Sequence, residues 1–326
     1  MANDTSTTNF GGTVQTLISK GVAENLRNNL IWLQEGSFLK ASIVAGTNQA
    51  RFVAYGDLTI DASAVSVEGV ANSPEEFAIG YQTLTVAQRM RSIRLTDVVM
   101  DESPHALMTE AAERIAFNAS AVADFVTATA AEAITATSWA DAVANRAALT
   151  TGGVLNGDEV KRVVAEMKSN NIPTFADGSY HAIVSPLAVY DLQSDTAVGG
   201  WIEVSKYAAS GNLLTGEIGK YAGVRFMESN LGTQPDSTGG VADAFPVYRT
   251  YFFGPDWFAF GDLQSIQSYL VTPGGDHDDP AAQAALVAWK GMYGIEILGD
   301  SAEASYGTVS GGTKYRVLET IGTLTY

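Results

Sequence analysis

The chain has 326 residues and a formal net charge of −17, from 36 acidic and 19 basic residues, and it contains no cysteine. The lack of cysteine excludes disulfides, thiolate nucleophiles and Cys-ligated metals, and the acidic surface argues against a DNA-reading protein because it repels phosphate. A hydrophobic content of 46% with 10% aromatic residues supports a packed core, at a length sufficient for two compact units.

The N-terminal segment predicts a flexible arm followed by a helix. Residues 1–20 are rich in small polar residues, and residues 22–33 have helical spacing. The apolar positions of that helix are Val22, Leu26, Leu30 and Leu33. No basic patch followed by an apolar run is present at the N-terminus, so we expect no secretory signal. No apolar stretch of about 18 residues suggests a membrane span, and we expect a protein made and used in the cytoplasm.

Two strands joined by a polar loop predict a protruding β-hairpin. Residues 51–58 alternate weakly, residues 59–80 are polar and suit an exposed tip, and residues 81–95 alternate again. Such a hairpin cannot bury both faces against its own domain. We therefore expect it to pack on a neighbouring molecule.

The second of these strands carries both an apolar pattern and a basic cluster. Leu84, Val86 and Met90 share one parity, whereas Ile93 and Leu95 have the other, which predicts a β-bulge near Ser92.

The densest basic cluster of the sequence lies on the same strand, at Arg89, Arg91 and Arg94. These arginines have three open interpretations: phosphate contact, a solvated strand face, or pairing with carboxylates of an adjacent subunit. Guanidinium groups suit interface carboxylates because they can form two parallel hydrogen bonds. Candidate partners are Glu75, Glu76 and Asp101.

A long helix is predicted after the hairpin. Ser103 can cap it, Pro104 suits its first position, and Asp101 with Glu102 favours the positive helix start. The predicted helix has about 25 residues, and a helix of this length usually serves as a structural spine. Its apolar stripe is Leu107, Ala111, Ile115, Ala119, Val122 and Val126.

A second helix and a strand-rich region follow. Asn156 and Glu159 resemble a capping box, and residues 170–173 end the helix. Its apolar positions are Val160, Val163, Val164 and Met167. Short strands and turns are predicted over residues 173–273, and returning strands over residues 285–298 and 314–325.

Candidate metal and catalytic residues are few. His105, His181 and His277 lack metal-ligand spacing, and His181 is predicted to be structural. The run Asp276–Asp279 is the best metal candidate, but its spacing does not match an EF-hand loop and Pro280 indicates a turn. We therefore favour a solvated acidic loop for this run.

A phosphate loop and a serine nucleophile are also disfavoured. Residues 211–220 are rich in glycine, but Tyr221 follows Lys220 where a phosphate loop requires Ser or Thr. No Gly-x-Ser-x-Gly elbow is present. The sequence predicts no enzyme, no cofactor and no metal.

The second half contains several weak motifs in a characteristic order. An apolar strand at Tyr180–Ser185 stops at Pro186, a helix starts around Tyr190-Asp191-Leu192, and Gly200-Trp201 follows. A Gly-Lys-Gly turn and a second strand then occupy Leu213–Ser229. A later segment contains Asp279-Pro280, Gln283, Ala288-Trp289-Lys290 and Ile295-Glu296-Ile297-Leu298. Over roughly residues 30–300, this order resembles the major capsid proteins of tailed phages related to the coat protein of phage N-four, which have the Hong Kong 97-type coat fold.

The resemblance implies an α+β fold with defined parts. These are an N-terminal arm and entry helix (1–49), an extended loop (50–96), a peripheral domain with the spine helix (97–172), an axial domain (173–273), and strands that return to the core (274–326). The resemblance also implies self-assembly into pentamers and hexamers of an icosahedral shell that encloses double-stranded DNA without sequence-specific binding. Scaffolding, portal and decoration proteins are further candidate partners, no membrane is involved, and the location is the virion capsid after assembly in the host cytoplasm.

The resemblance bears on the arginines and on the shell's chemistry. Because it places their strand in the extended loop, we favour Arg89, Arg91, Arg94, Glu75 and Glu76 as subunit-interface residues. Some coats of this fold are crosslinked through a lysine of the extended loop, but no lysine occurs here between Lys40 and Lys161. The implied shell is therefore non-covalent. An encapsulin-like compartment and a surface-layer or adhesin-type structural protein stay open as alternatives.

Overall fold

The computed structural model describes residues 31–33, 36–43, 46–55, 68–69, 74, 76, 79–103, 107–195, 217–232, 246–273, 283–299 and 313–322. The strands are β1 (Phe38–Ser42), β2 (Gln49–Tyr55), β3 (Ile79–Thr85), β4 (Ala87–Thr96), β5 (Thr137–Trp139), β6 (Tyr180–Val184), β7 (Glu217–Tyr221), β8 (Val224–Glu228), β9 (Val247–Phe253), β10 (Phe258–Val271), β11 (Ala284–Ile297) and β12 (Tyr315–Ile321). The helices are α1 (Asp97–Glu102), α2 (Leu107–Glu132), α3 (Gly157–Ser169) and α4 (Pro186–Gln193). No helix in these ranges is long and apolar enough to cross a membrane.

A four-stranded sheet carries the long helix. Its order is β1-β10-β11-β4, with β1 parallel to β10 and the other pairs antiparallel. Helix α2 packs on it through Ile115 and a row of alanines, which contact Trp289 and Tyr293 of β11. Because alanine is small, the helix axis can approach the sheet closely and the large rings fill the space between them. The indole N–H of Trp289 donates to Asn118 Oδ1 over 3.0 Å.

A six-stranded sheet forms the second layer, in the order β5-β12-β9-β6-β8-β7. Helices α3 and α4 cover one face of it, where Val163 and Leu192 contact Phe226 and Phe252. The other face packs on the C-terminal part of α2 and on the start of β10 through an aromatic cluster. That cluster includes Trp32, Tyr251, Phe253, Trp257, Phe258 and Tyr315. This cluster therefore joins the two sheets.

The hairpin of β2 and β3 is confirmed, but the long second strand is divided between two sheets. β3 pairs with β2 from Gln49↔Thr85 to Tyr55↔Ile79, whereas β4 pairs with β11 without any register shift. The bulge predicted near Ser92 is therefore wrong. The side chains that face the core do change from even-numbered to odd-numbered positions, but the change lies at Val86. There the chain stops pairing with β2 and begins pairing with β11 in a different sheet, which is the physical cause of the change.

The long helix is confirmed over Leu107–Glu132. Its predicted start, with Ser103 as cap and Pro104 at the first position, stays a prediction because residues 104–106 lie outside the described residues. Asp101 and Glu102 belong to the short helix α1, which ends at Glu102. The acidic residue in the first turn of α2 is Glu110. The buried stripe begins as predicted at Ala111, Ile115 and Ala119. It then continues through Ala123, Thr127, Ala128 and Ala131. Val122 is partly buried against the same cluster as Ile115, and Val126 is also partly buried.

The second helix follows its predicted sequence signals. Asn156 Oδ1 accepts hydrogen bonds from the backbone N–H groups of Asp158 and Glu159, and Asn171 ends the helix with φ of 54°. The carboxylate of Glu159 does not complete a capping box but binds Arg162 and the backbone N–H of Asp141. All four predicted apolar residues are buried.

The predicted N-terminal helix lies mostly outside the described residues. Residues 31–33, its last three positions, form a bend rather than a helical turn. The returning strands predicted over 285–298 and 314–325 are found as β11 and β12.

Candidate subunit interface

The hairpin of β2 and β3 is fastened to the body of the protein on one face. Gln82 is fully buried there, and its Nε2 donates to the carbonyl of Ile297 over 2.6 Å and to Glu296 Oε1 over 3.0 Å. Its Oε1 accepts from the backbone N–H of Gly299 over 2.9 Å. Leu84 is buried beside it in a cluster with Phe52. The hairpin is thus fastened to the body of the same chain by hydrogen bonds and apolar contacts.

The opposite face of the hairpin exposes apolar side chains. Val53 pairs with Tyr81 and Tyr55 pairs with Ile79 across the two strands, so all four share one face. Tyr55 is 63% exposed and Ile79 54% exposed. The Arg51 guanidinium lies 4.3 Å from the centroid of the Tyr81 ring. We call Val53, Tyr55, Ile79 and Tyr81 the hairpin patch; contiguous apolar surface of this kind marks an interaction site.

The three arginines that the sequence predicted for a subunit interface do not form one cluster. Arg89 and Arg91 lie on the face of β4 that carries Ile93, whereas Arg94 lies on the opposite face because successive side chains of a strand alternate. Arg89 Nη1 donates to the carbonyl of Tyr293 over 2.6 Å, and its guanidinium lies over that ring at 4.8 Å. The Arg89 guanidinium therefore already has partners within its own chain.

Arg91 and Arg94 are exposed on the edge strand of the four-stranded sheet. Within the described ranges, neither makes an ion pair. Glu76 is exposed, and Glu75 lies outside the described residues. A pairing of Arg91 or Arg94 with Glu75 or Glu76 of another copy stays a prediction.

A second exposed apolar group lies on β4 and α1, and the sequence pattern did not indicate it. Met90 is 66% exposed, and Val98 and Val99 of α1 are about half exposed. Met90 has the same parity as buried Leu84 in the sequence, but it is exposed because the chain changes sheets between them. The edge of the four-stranded sheet thus combines apolar and basic groups.

The interior charges have matched partners and a structural role. Buried Glu319 accepts hydrogen bonds from Arg249 Nε over 2.9 Å and from Trp139 Nε1 over 3.1 Å. Arg249 also donates to the carbonyl of Glu132, at the C-terminal end of α2. This cation therefore ties the end of the long helix to the six-stranded sheet.

His181 is also placed for packing. Its ring stacks on Phe175 with centroids 3.9 Å apart, and its Nε2 lies 4.0 Å from the Asp177 carboxylate. His105, His277 and the run Asp276–Asp279 lie outside the described residues. Among the residues described, no group of three or more His, Cys, Asp or Glu could hold a metal ion.

The superficial phosphate loop is only partly described. Gly219 and Lys220 lie in strand β7, and the tight turn is formed one step later by Ala222 and Gly223, with φ of 49° and 83°. These positive φ values suit a two-residue β-hairpin. The earlier glycines, residues 211–216, lie outside the described residues.

A buried carboxylate on α2 holds the chain just before β1. Asp124 Oδ1 accepts the backbone N–H of Trp32 over 2.8 Å, and the N–H groups of Ile31 and Leu33 also bind this carboxylate. Trp32 is fully buried and its Nε1 donates to Ser229 Oγ over 3.1 Å. Burial raises the pKa of Asp124 from 3.8 to about 6, against the three backbone hydrogen bonds that lower it.

Asp124 is expected to make stability fall as pH rises from about 4 to about 6. The folded protein holds this proton to a higher pH than the unfolded chain, so it binds more protons in that window and ionisation costs stability. A shift from 3.8 to about 6 corresponds to about 3 kcal/mol. The free energy of unfolding of the wild type and of Asp124→Asn can be measured by denaturant titration from pH 4 to pH 7. Over this range the wild type should lose about 3 kcal/mol of stability relative to the variant. A flat difference would contradict the raised pKa.

Comparisons with known proteins identify the fold. No family profile matches the chain, and no curated protein is significantly similar to it. The capsid of Ralstonia phage GP4 is similar over 89% of this chain and 88% of that chain, with a TM-score of 0.69 and 11% identity. The mature capsid of bacteriophage PhiM1 covers 91% and 88%, with a TM-score of 0.60 and 14% identity. The capsid of cyanophage Pam1 covers 85% and 86%, with a TM-score of 0.58 and 14% identity. The chain has the Hong Kong 97-type coat fold, as the resemblance implied.

Proposed function

We propose that this protein is the major capsid protein of a tailed phage and that it assembles into the icosahedral shell around double-stranded DNA. The observation that carries the proposal is the structural likeness of nearly the whole chain to nearly the whole of several phage capsid proteins. The likeness covers 85–91% of this chain and 86–88% of those chains.

The hairpin patch supports assembly. A closed shell needs each subunit to present a surface that another copy covers. The apolar pairs of β2 and β3 are held in place by Gln82 but are uncovered in the single chain. Burial of such a patch by a neighbour contributes roughly 25 cal/mol per Å² before the costs of association. We assign the patch to the contact between adjacent subunits.

We propose the same structural parts of the coat fold that the sequence predicted, with one changed boundary, at the end of the extended loop. We assign residues 1–49 to the arm and entry segment, 97–172 to the peripheral domain, 173–273 to the axial domain and 274–326 to the returning strands. The extended loop was placed at 50–96. The pairing of β4 with β11 favours ending that loop near Thr85 and giving β4 to the peripheral sheet.

The net negative charge suits a shell that encloses DNA better than a protein that recognises a DNA sequence. A net charge of −17 disfavours tight contact with phosphate, so the shell would enclose DNA without sequence-specific binding. The proposed partners are other copies of the chain, in pentamers and hexamers, with scaffolding, portal and decoration proteins. The proposed location is the virion, after assembly in the host cytoplasm, and the proposed role is structural rather than enzymatic.

An encapsulin-like compartment and a surface-layer or adhesin-type protein are less favoured, because the matches are phage capsids. Electron microscopy of the purified full chain tests the proposal. Closed shells or capsomers would support it, and extended two-dimensional arrays would favour a surface-layer protein. Nuclease-protected DNA in native particles would support a virus shell, whereas packaged protein without DNA would favour the encapsulin-like alternative.

The shell is expected to be held together without covalent bonds. No lysine lies between Lys40 and Lys161, and cysteine is absent, so the extended loop offers neither an amine nor a thiol for crosslinking. Mature particles boiled in SDS should run as one band near the 34.4 kDa monomer. Apolar burial should supply most of the energy, and charge pairs should mainly set the register. A ladder of covalent oligomers under reducing conditions would refute this expectation.

A further inference from the structure

The face of helix α2 that points away from the four-stranded sheet carries exposed aromatic side chains. Phe117 and Phe125 are each 54% exposed, and Ala121 lies midway between them in the sequence. Each of these three residues follows a buried residue of the helix by two positions, which places it about 200° around the helix axis from the buried face. Because they are spaced four residues apart, their side chains form one ridge, which we call the α2 ridge.

The α2 ridge is self-complementary under a two-fold rotation. Phe117 and Phe125 lie on either side of Ala121, each about 6 Å away along the helix. An antiparallel second copy of the helix that crosses at Ala121 therefore places each phenylalanine against the other phenylalanine of its neighbour. Such a contact uses the same patch on both subunits, as an isologous interface requires. The small alanine at the crossing point lets the two helix axes approach to about 8–10 Å.

We propose that the α2 ridge forms an antiparallel contact with helix α2 of a second copy of the chain, across a two-fold axis at Ala121. This contact rests on the proposed function, because the second copy is a neighbouring subunit of the shell. The ridge lies on a different element from the hairpin patch, so it would supply each subunit with a second assembly surface. The antiparallel direction also brings helix termini with partial charges of opposite sign to the same end of the contact.

Charged side chains at the two ends of the helix favour the antiparallel direction. Exposed Arg114 binds Glu110 over 2.7 Å, and Glu132 is exposed at the other end of the helix. In the antiparallel contact, Arg114 lies about one turn from Glu132 of the second copy. Its side chain leans toward that glutamate, because helical side chains point toward the N-terminus of their own helix. A parallel contact would instead set the two Arg114 side chains against each other.

The size of the α2 ridge favours a neighbouring subunit over a separate partner protein. An aromatic side chain buries about 150–250 Å², so two rings from each copy, each 54% exposed, offer roughly 400 Å² together. A contact that holds two proteins together by itself buries about 1,200–2,000 Å². The ridge is therefore too small to hold a partner alone, but it suffices as one of several contacts that a shell makes on each subunit.

The absence of cysteine permits a crosslinking test in assembled shells. At the crossing, the two Ala121 Cα atoms would be about 5 Å apart, a distance that a disulfide spans. After mild oxidation, shells of Ala121→Cys should give at least about tenfold more dimer on a non-reducing gel than shells of Thr109→Cys. Thr109 is exposed on the same helix, and its two copies would lie about 36 Å apart in the antiparallel contact. Equal crosslinking of the two variants, or none in either, would overturn the contact and leave the proposed function standing.

A charge exchange tests which two positions meet. Phe117→Asp and Phe125→Arg should each lower the yield of shells by at least about tenfold, because each places an unpaired charge in the contact. The double variant should recover most of the yield, because residue 117 of one copy then faces residue 125 of the other as an ion pair. Within one chain these two positions are about 12 Å apart, which is too far for them to pair.

The outcomes of the charge exchange separate the contact from the proposed function. Normal assembly of both single variants, or a double variant that assembles no better than they do, would overturn the α2 contact alone. Failure of the wild-type chain to form shells or capsomers would refute the proposed function and this contact with it.

Discussion

Replacing Tyr55 and Ile79 with glutamate is expected to give a folded, soluble protein that forms no shells. The two side chains face each other across the hairpin and are more than half exposed, so charging them costs the isolated subunit little. In an assembled shell the same charges would be buried against a neighbour without partners, at several kcal/mol for each contact. Because every subunit repeats the contact, assembly should be lost rather than weakened. Electron microscopy and size-exclusion chromatography of the purified variant would measure this.

A control on the same hairpin separates charge from position. Thr85→Glu also adds an acidic group to an exposed position, at the base of the hairpin and outside the patch, and it should assemble normally. Deleting residues 60–78, the predicted tip, should likewise leave a soluble monomer that fails to form shells. Normal particles from the Tyr55→Glu/Ile79→Glu protein would show that the hairpin patch is not a subunit contact.

Ile115→Asp is expected to prevent folding. Ile115 is 2% exposed and packs in the cluster that joins α2 to Trp289 and Tyr293. The substitution loses the apolar side chain and places a carboxylate in the core, which together cost at least about 4 kcal/mol. Because a typical domain is stable by only about 5–15 kcal/mol, the protein should be insoluble or should unfold well below the wild-type temperature.

The same helix offers a matched control. Phe117 lies two residues further along α2 and is 54% exposed. Phe117→Asp puts the same residue type into the same helix, so any difference from Ile115→Asp reflects burial rather than helix propensity. Solubility and thermal unfolding of the two proteins should differ sharply. Wild-type stability of the Ile115→Asp protein would contradict the packing of α2 on the sheet.

Features with a local cause could be predicted from the sequence. The helical spacing of Ala111, Ile115 and Ala119 is enough to orient the first half of α2, and the Asn156 cap is enough to start α3. The two alternating segments around the polar tip predicted a hairpin with an exposed face. Each of these signals lies within a few residues of the structure it specifies, because side-chain periodicity and capping are local properties.

Features that depend on distant partners were decided by the tertiary structure. The strand from Tyr81 to Leu95 looks continuous in sequence, yet Thr85 pairs with Gln49 while Thr96 pairs with Ala284. Because of this change of partner strand, the alternation of buried side chains changes at Val86 rather than near Ser92. As a consequence, Met90 is exposed and Arg94 lies on the face opposite Arg89. Asp124 gave no sequence signal at all, because only the fold brings the backbone of residues 31–33 to its carboxylate. Strand pairing and burial of this kind arise from contacts between segments up to about two hundred residues apart, which local patterns do not encode.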